Sequence, residues 1–337
     1  MDLRELEMTK ENSLILKGIA ILMMLFLHCF NVGINKAICY EDIQISGYPF
    51  CDIIARCASP VDLYIILSGY GLYYKYLKDK HIFVLKRLLK LYVLFWLTLL
   101  IFVPLLILYK DGDIVSFQDA ILNAIGYKTS FNATVWFLFP YCLIMACSNY
   151  IFKLLNIYPR KVLLSSLAVS VVGYAISWAG IHNFVDFGYE YIAQMINSLG
   201  MLFPFVLGAY MNKEKLIDKF KHRLEDKQNF VILSFACLTF LRCLTEFSFL
   251  VHLVYTCCII LFFCVAKIPI NVRKIFIFLG KLSTVVWFIH AYFLWYLCSD
   301  FFYGLKYPPL IFLAIIAVSF ICGGAINVVY QKIIKKI

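Results

Sequence analysis

An all-α, polytopic bundle of about ten membrane-spanning helices, both termini cytoplasmic, is the fold class this sequence predicts. Three observations carry that reading. Of 337 residues, 63% are hydrophobic and only 15% charged, a balance that suits lipid-facing helices and that no water-soluble core requires. The apolar residues fall into runs of roughly 20, the length that crosses a bilayer core. The basic residues cluster between those runs, on alternate sides. The formal charge of +11 therefore belongs to the flanks of spans, and nucleic-acid binding is excluded as its explanation.

In chain order, candidate helices run over 14–32, 53–74, 83–108, 134–153, 161–181, 190–210, 230–246, 248–266, 275–298 and 308–329. Residues 1–13 are mixed in charge and no Ala-x-Ala follows the first run, so this span is expected to stay in the mature protein. The seventh and eighth share one apolar block over 230–266, with Arg242 and Glu246 near its middle. The block is too long for one span and just long enough for a tight hairpin. With the N-terminus inside and sides alternating, inner segments collect 25 of the 31 Lys and Arg. Outer segments hold only Lys36, Arg56, Lys110, Lys128, Arg242 and Lys306. That asymmetry is what the positive-inside rule expects, and it survives only an even number of helices. The longest inner loop, "NKEKLIDKFKHRLEDKQ", predicts a short charged helix at the membrane surface. No repeat or soluble appendage is visible, so a single domain over 1–337 is expected, with its chemistry between helices.

Ionisable groups at membrane depth are costly and mark paths or sites. Three qualify, from three separate helices. His28, in "LKGIAILMMLFLHCF", lies eleven residues past Lys17, about 16 Å along a helix. Asp62, in "ASPVDLYIILSGYGLYY", lies about 20 Å from Lys75, and His290, in "GKLSTVVWFIHAYFLW", about 14 Å from Lys281. All three are expected near mid-membrane. An imidazole in apolar surroundings stays neutral and accepts protons at neutral pH, and a carboxylate beside it fixes its tautomer; Asp62 is the expected partner of His28. His81 and His222 fall in inner charged loops and His182 in an outer one, all read as solvated surface. His252 follows Arg242 and Glu246 and reads as a satisfied structural histidine. Lys86, Arg87 and Lys90 open the third helix and with Lys17 suit an anion such as a nucleotide phosphate, although ordinary inner-face anchoring explains them equally. Trp136 reads as aromatic belt, and Ser68, Gly69 and Gly71 as close helix packing. The thirteen cysteines are scattered without metal spacing or a disulfide framework, and Cys39, Cys51 and Cys57 lie in or near one outer loop where pairing is open.

Six stretches together resemble the type 3 integral-membrane acyltransferases, which modify sugars of bacterial surface glycans. They are "LKGIAILMMLFLH", "VDLYIILSGYGL", "KRLLKLY", "VWFL", "PFVLGAY" and "GKLSTVVWFIH", in that order along nearly the whole chain. The family's Arg, ten residues, then His becomes Lys17 and His28 here. Its two arginines opening the third helix become Arg87 and Lys90. Lysine keeps the charge but loses the bidentate fork.

The resemblance implies that an acyl group, most often acetyl, passes from cytoplasmic acyl-CoA to a hydroxyl of a lipid-linked or exported saccharide of the cell envelope. The enzyme would sit in the bacterial cytoplasmic membrane with no bound cofactor or metal. His28 would be the general base with Asp62 beside it. Lys17, Arg87 and Lys90 would bind the donor, and Ser68, Trp136 and His290 would bind substrate or support the site. Direct transfer is expected over an acyl-enzyme on Ser68 or a histidine. The competing class is a proton-coupled transporter or flippase for a glycan or small solute, although no inverted repeat supports it.

Overall fold

A computed structural model of the protein describes residues 8–31, 40–109, 116–186, 190–224, 226–244 and 249–336. Cys39, Glu246 and the side chain of His182 lie outside the described residues. Helix α1 spans Lys10–Phe30. Thr9 sets its start by accepting from the Asn12 N–H at 3.1 Å. At its far end the orphaned carbonyls find side chains: the Cys29 oxygen accepts from the Tyr303 hydroxyl and the Phe30 oxygen from Tyr40. A two-stranded hairpin, β1 (Gln44–Ile45) and β2 (Tyr48–Pro49), and the short α2 (Phe50–Ala55) lead into α3 (Pro60–Asp79), opened by a proline that needs no N–H.

Next come α4 (Val84–Tyr109), α5 (Phe117–Ala124) and a single 3-10 turn over Ala133–Val135. Helices α6 (Leu138–Ala146) and α7 (Ser148–Ile157) occupy the expected fourth span but meet at a bend of 54°. The chain continues through α8 (Pro159–Asp186), α9 (Glu190–Lys213) and α10 (Leu216–Leu224), which is the charged surface helix expected from composition. The apolar block over 230–266 folds as α11 (Gln228–Leu244) and α12 (Phe249–Val265). Cross-contacts Arg242 to His252, Thr239 to Tyr255 and Gln228 to Val265 show these two run antiparallel, which is the expected hairpin. Last are α13 (Ile270–Ala291), a π-helical turn over Tyr292–Leu297, α14 (Ser299–Gly304) and α15 (Pro308–Ile334).

The chain is thus an all-α membrane bundle. Among the described residues six helices are long and apolar enough to cross a bilayer, and up to eight if each bent pair is one span. Helix α3 is not one of the six, because it carries Asp62, Lys75, Lys78 and Asp79. Of these only Asp62 is buried; Lys78 and Asp79 are exposed at the far end of the helix, where Lys75 pairs with Asp79 at 2.6 Å. The middle of the helix packs inside the protein, with Leu63, Ile65 and Tyr73 each at most 1% exposed. Burial separates core from rim: 67% of the apolar window of α13 is buried, against 17% for α8.

Two crossings hold the core. Gly18 on α1 lies against the Phe276 carbonyl of α13, and Gly280 on α13 against the Leu14 carbonyl of α1. Across the α3–α9 contact, Gly69 meets the Phe205 carbonyl and Gly208 meets that of Ile66. A Cβ at any of the four would collide with backbone, so the glycines permit the close approach. Gly71 has nothing within 4 Å of where its Cβ would be, so only Gly69 of the expected pair packs. Both pairs run parallel: α1 and α13 also meet at Asn12–Arg273 near their starts and His28–His290 near their ends, while the starts of α3 and α9 line one cavity through Asp62 and Asn197.

Candidate active site

Because α1 and α13 run parallel and in close register, residues near their far ends meet. His28 Nδ1 lies 2.7 Å from His290 Nε2, with the two rings within 9° of parallel. His290 Nδ1 in turn lies 3.1 Å from the Val286 carbonyl and 2.9 Å from that of Trp287. Carbonyls only accept, so His290 Nδ1 carries the proton and donates it. For two neutral rings, His290 Nε2 is then an acceptor and His28 Nδ1–H its donor. That leaves the lone pair on His28 Nε2. The edge of Trp295, from the π-helical turn, closes against the His28 ring at 5.0 Å between centroids.

His28 lines a cavity of about 740 Å³ at the end of the bundle where α1 stops and α3 begins. Asp62, Trp136, Arg242 and His252 share its wall. The depth expected from spacing needs correction. Helix α1 begins at Lys10 and ends at Phe30, so eleven residues past Lys17 falls in its last turn, and Asp62 stands in the first turn of α3. The site lies toward one end of the bundle instead of midway.

The expected pairing of Asp62 with His28 is also replaced. His290 is the group on His28, while Asp62 Oδ2 faces His252 Nε2 at 3.5 Å and hydrogen bonds with Ser59. Arg242 Nη2 lies 3.1 Å from His252 Nδ1; arginine only donates, so Nδ1 accepts and Nε2–H points toward the carboxylate. Ser59 Oγ and Thr256 Oγ1 are 2.5 Å apart, and Thr256 donates to the His252 carbonyl. Asp62 is thereby held by α12 and by the turn before α3. The sequence leads one to expect His252 as a satisfied structural histidine beside an ion pair of Arg242 and Glu246; Glu246 lies outside the described residues, and the carboxylate that faces His252 is Asp62.

Asn132 was missed altogether. It is 1% exposed. Its amide donates to the Phe288 carbonyl of α13 at 2.7 Å, while its oxygen accepts from the Thr134 N–H and hydroxyl. Trp287 Nε1 donates to the Thr134 carbonyl at 2.9 Å. These bonds pin the segment carrying Trp136 onto α13 one turn before His290, which places Trp136 in the cavity wall and not only in an aromatic belt. The one available signal was an Asn two residues ahead of a Thr, a local cap pattern with no hint of a partner 156 residues away.

The remaining expected residues lie elsewhere. Ser68 hydrogen bonds with Tyr141 of α6 at 2.9 Å and is not among the residues lining the cavity. Nor are Lys17, Arg87 and Lys90. Lys17 is half-buried on α1, its carbonyl accepting from Tyr64. Arg87 is exposed at the start of α4 and its charge reaches the Tyr141 hydroxyl. Lys90, half-buried, offers its carbonyl to Tyr330. His81 and His222 are exposed, as expected.

The comparisons with known proteins add one finding. Residues 14–328 match the profile of the acyltransferase 3 family, described as an acyltransferase domain. No curated protein and no solved structure matches the chain.

Proposed function

The chain belongs to the acyltransferase 3 family, and from that premise we propose that it is an O-acyltransferase of the bacterial cytoplasmic membrane. Its donor is cytoplasmic acyl-CoA, in the first instance acetyl-CoA. Its acceptor is a hydroxyl of a lipid-linked or exported saccharide of the cell envelope. The proposed frame is one domain of ten spanning helices with both termini inside, consistent with the 25-to-6 partition of basic residues.

The observation that carries the reading is the 2.7 Å contact between His28 and His290 at the cavity wall. His290 plays the part that a carboxylate plays in many base-assisted sites: it accepts from Nδ1 and so leaves Nε2 ready to accept a proton. In the proposed reaction the acceptor hydroxyl gives its proton to His28 Nε2 as its oxygen attacks the thioester carbonyl. The tetrahedral adduct collapses, the thiolate leaves, and His28 returns the proton to sulfur. Asp62 accepts hydrogen bonds from the acceptor's other hydroxyls, with Trp136 as an apolar face for the sugar ring. Lys17, Arg87 and Lys90 hold the donor's phosphates, and the acyl-bearing arm spans the roughly 16 Å from Lys17 to His28. An acyl-enzyme on Ser68 gains no support, since its hydroxyl faces Tyr141.

The test uses inverted vesicles given radiolabelled acetyl-CoA. Label is expected in the lipid-linked or polysaccharide fraction with the native chain and lost with His28→Ala; undiminished transfer by that variant would remove His28 from the reaction.

A further inference from the structure

Two thiols that the acyl-transfer reading does not use meet at the rim of the cavity. Cys57 lies just past α2, and Cys243 is the penultimate residue of α11. Their sulfurs are 2.7 Å apart although 186 positions separate them in the chain. The other contacts of Cys57 Sγ are backbone oxygens, Thr239 at 3.7 Å and Ile53 at 4.0 Å. The flanking residues give the pair its significance. Arg56, Ala58 and Ser59 beside Cys57, and Arg242 beside Cys243, all line the cavity. We propose that Cys57 and Cys243 form a disulfide in the mature protein, fastening α11 to the turn that starts α3 and so fixing the Arg242–His252–Asp62 wall.

The two cysteines belong to one end of the bundle. The charge alternation makes that end the outer one, where disulfides persist; the inference uses that sidedness and is independent of the acyl-transfer chemistry. The step balances by thiol–disulfide exchange with an extracytoplasmic protein disulfide as oxidant. One thiolate attacks the oxidant, breaking its S–S bond and forming a mixed disulfide. The second thiolate then displaces the oxidant's remaining sulfur. Two electrons and two protons pass to the oxidant, which leaves as a dithiol. The bond would join α11 covalently to the turn before α3, and Arg242 would be held against His252.

The full chain is purified from a host with an intact extracytoplasmic disulfide-forming system, denatured in N-ethylmaleimide without reductant, digested and analysed by mass spectrometry. The expected result is a linked peptide containing residues 57 and 243, replaced after reduction by two alkylated peptides. In Cys57→Ser the linked peptide is absent and Cys243 is alkylated. Alkylation of both Cys57 and Cys243 in the unreduced native chain would overturn the proposal. A separate Glu41→Cys variant, probed on intact cells with a membrane-impermeant maleimide, reports sidedness. Free thiols with Glu41→Cys labelled overturn the disulfide alone, and free thiols with it unlabelled overturn the outer placement as well. A linked peptide sustains the disulfide whatever the label.

Discussion

At the scale of single residues, His28 depends on how its neighbour is protonated. Because two carbonyls claim the His290 Nδ1 proton, His290 Nε2 must accept, and the ring of His28 is set in one tautomer. His28→Ala is expected to lower acyl transfer about 10²–10⁴-fold, the usual contribution of a general base. His290→Gln keeps an acceptor oxygen and should retain more activity than His290→Leu, which has none; equal activity of the two variants in the vesicle assay would show that orientation of His28 is not what His290 supplies. Asn132→Ala removes a buried amide that bridges two segments, so the Phe288 carbonyl and the Thr134 N–H and hydroxyl lose their bonds to it. It should cost roughly 1–3 kcal/mol, read as a lower melting temperature. Both histidines and Asp62 were legible as ionisable groups in apolar helices. Which of them would touch was not, since a carboxylate and a second imidazole suit the same sequence pattern equally well.

At the scale of elements, small residues decide how closely helices approach. Gly69 and Gly71 look alike in "SGYG", yet only Gly69 abuts backbone. Gly69→Ala is expected to force α3 and α9 apart at a cost of roughly 1–3 kcal/mol. Gly71→Ala, with open space, should be neutral or stabilising by up to about 1 kcal/mol through helix propensity. Melting temperatures in detergent separate the two, and similar shifts would mean the crossing is looser than described. Gly18 and Gly280 act the same way, and their reciprocal contacts set the α1–α13 register that brings His28 to His290. The bend between α6 and α7 was invisible to hydropathy, which sees one apolar run across both.

At the scale of the whole molecule, the cavity and the basic residues occupy different parts of the bundle. The cavity opens beside Asn31 and Ser59, whereas Lys17, Arg87 and Lys90 lie toward the ends where α1 and α4 begin. A donor anchored at one end and an acceptor held at the other would meet at His28. Lys17→Ala is therefore expected to raise KM for acetyl-CoA several-fold while kcat changes little, with Lys17→Arg restoring it; a change confined to kcat would place Lys17 in the chemistry and not in donor binding.

By itself the sequence determined a helical membrane protein, most of its long apolar helices, the hairpin in the long apolar block and the family to which it belongs. Each of these follows from terms that act segment by segment: apolar length against lipid, and charge against the positive-inside bias. Only the tertiary structure decided that His290 and not Asp62 backs His28, that Asp62 answers to His252, and that Cys57 faces Cys243. Such contacts join residues up to 262 positions apart. They depend on helix register and crossing, which close packing sets over the whole bundle and no local stretch encodes.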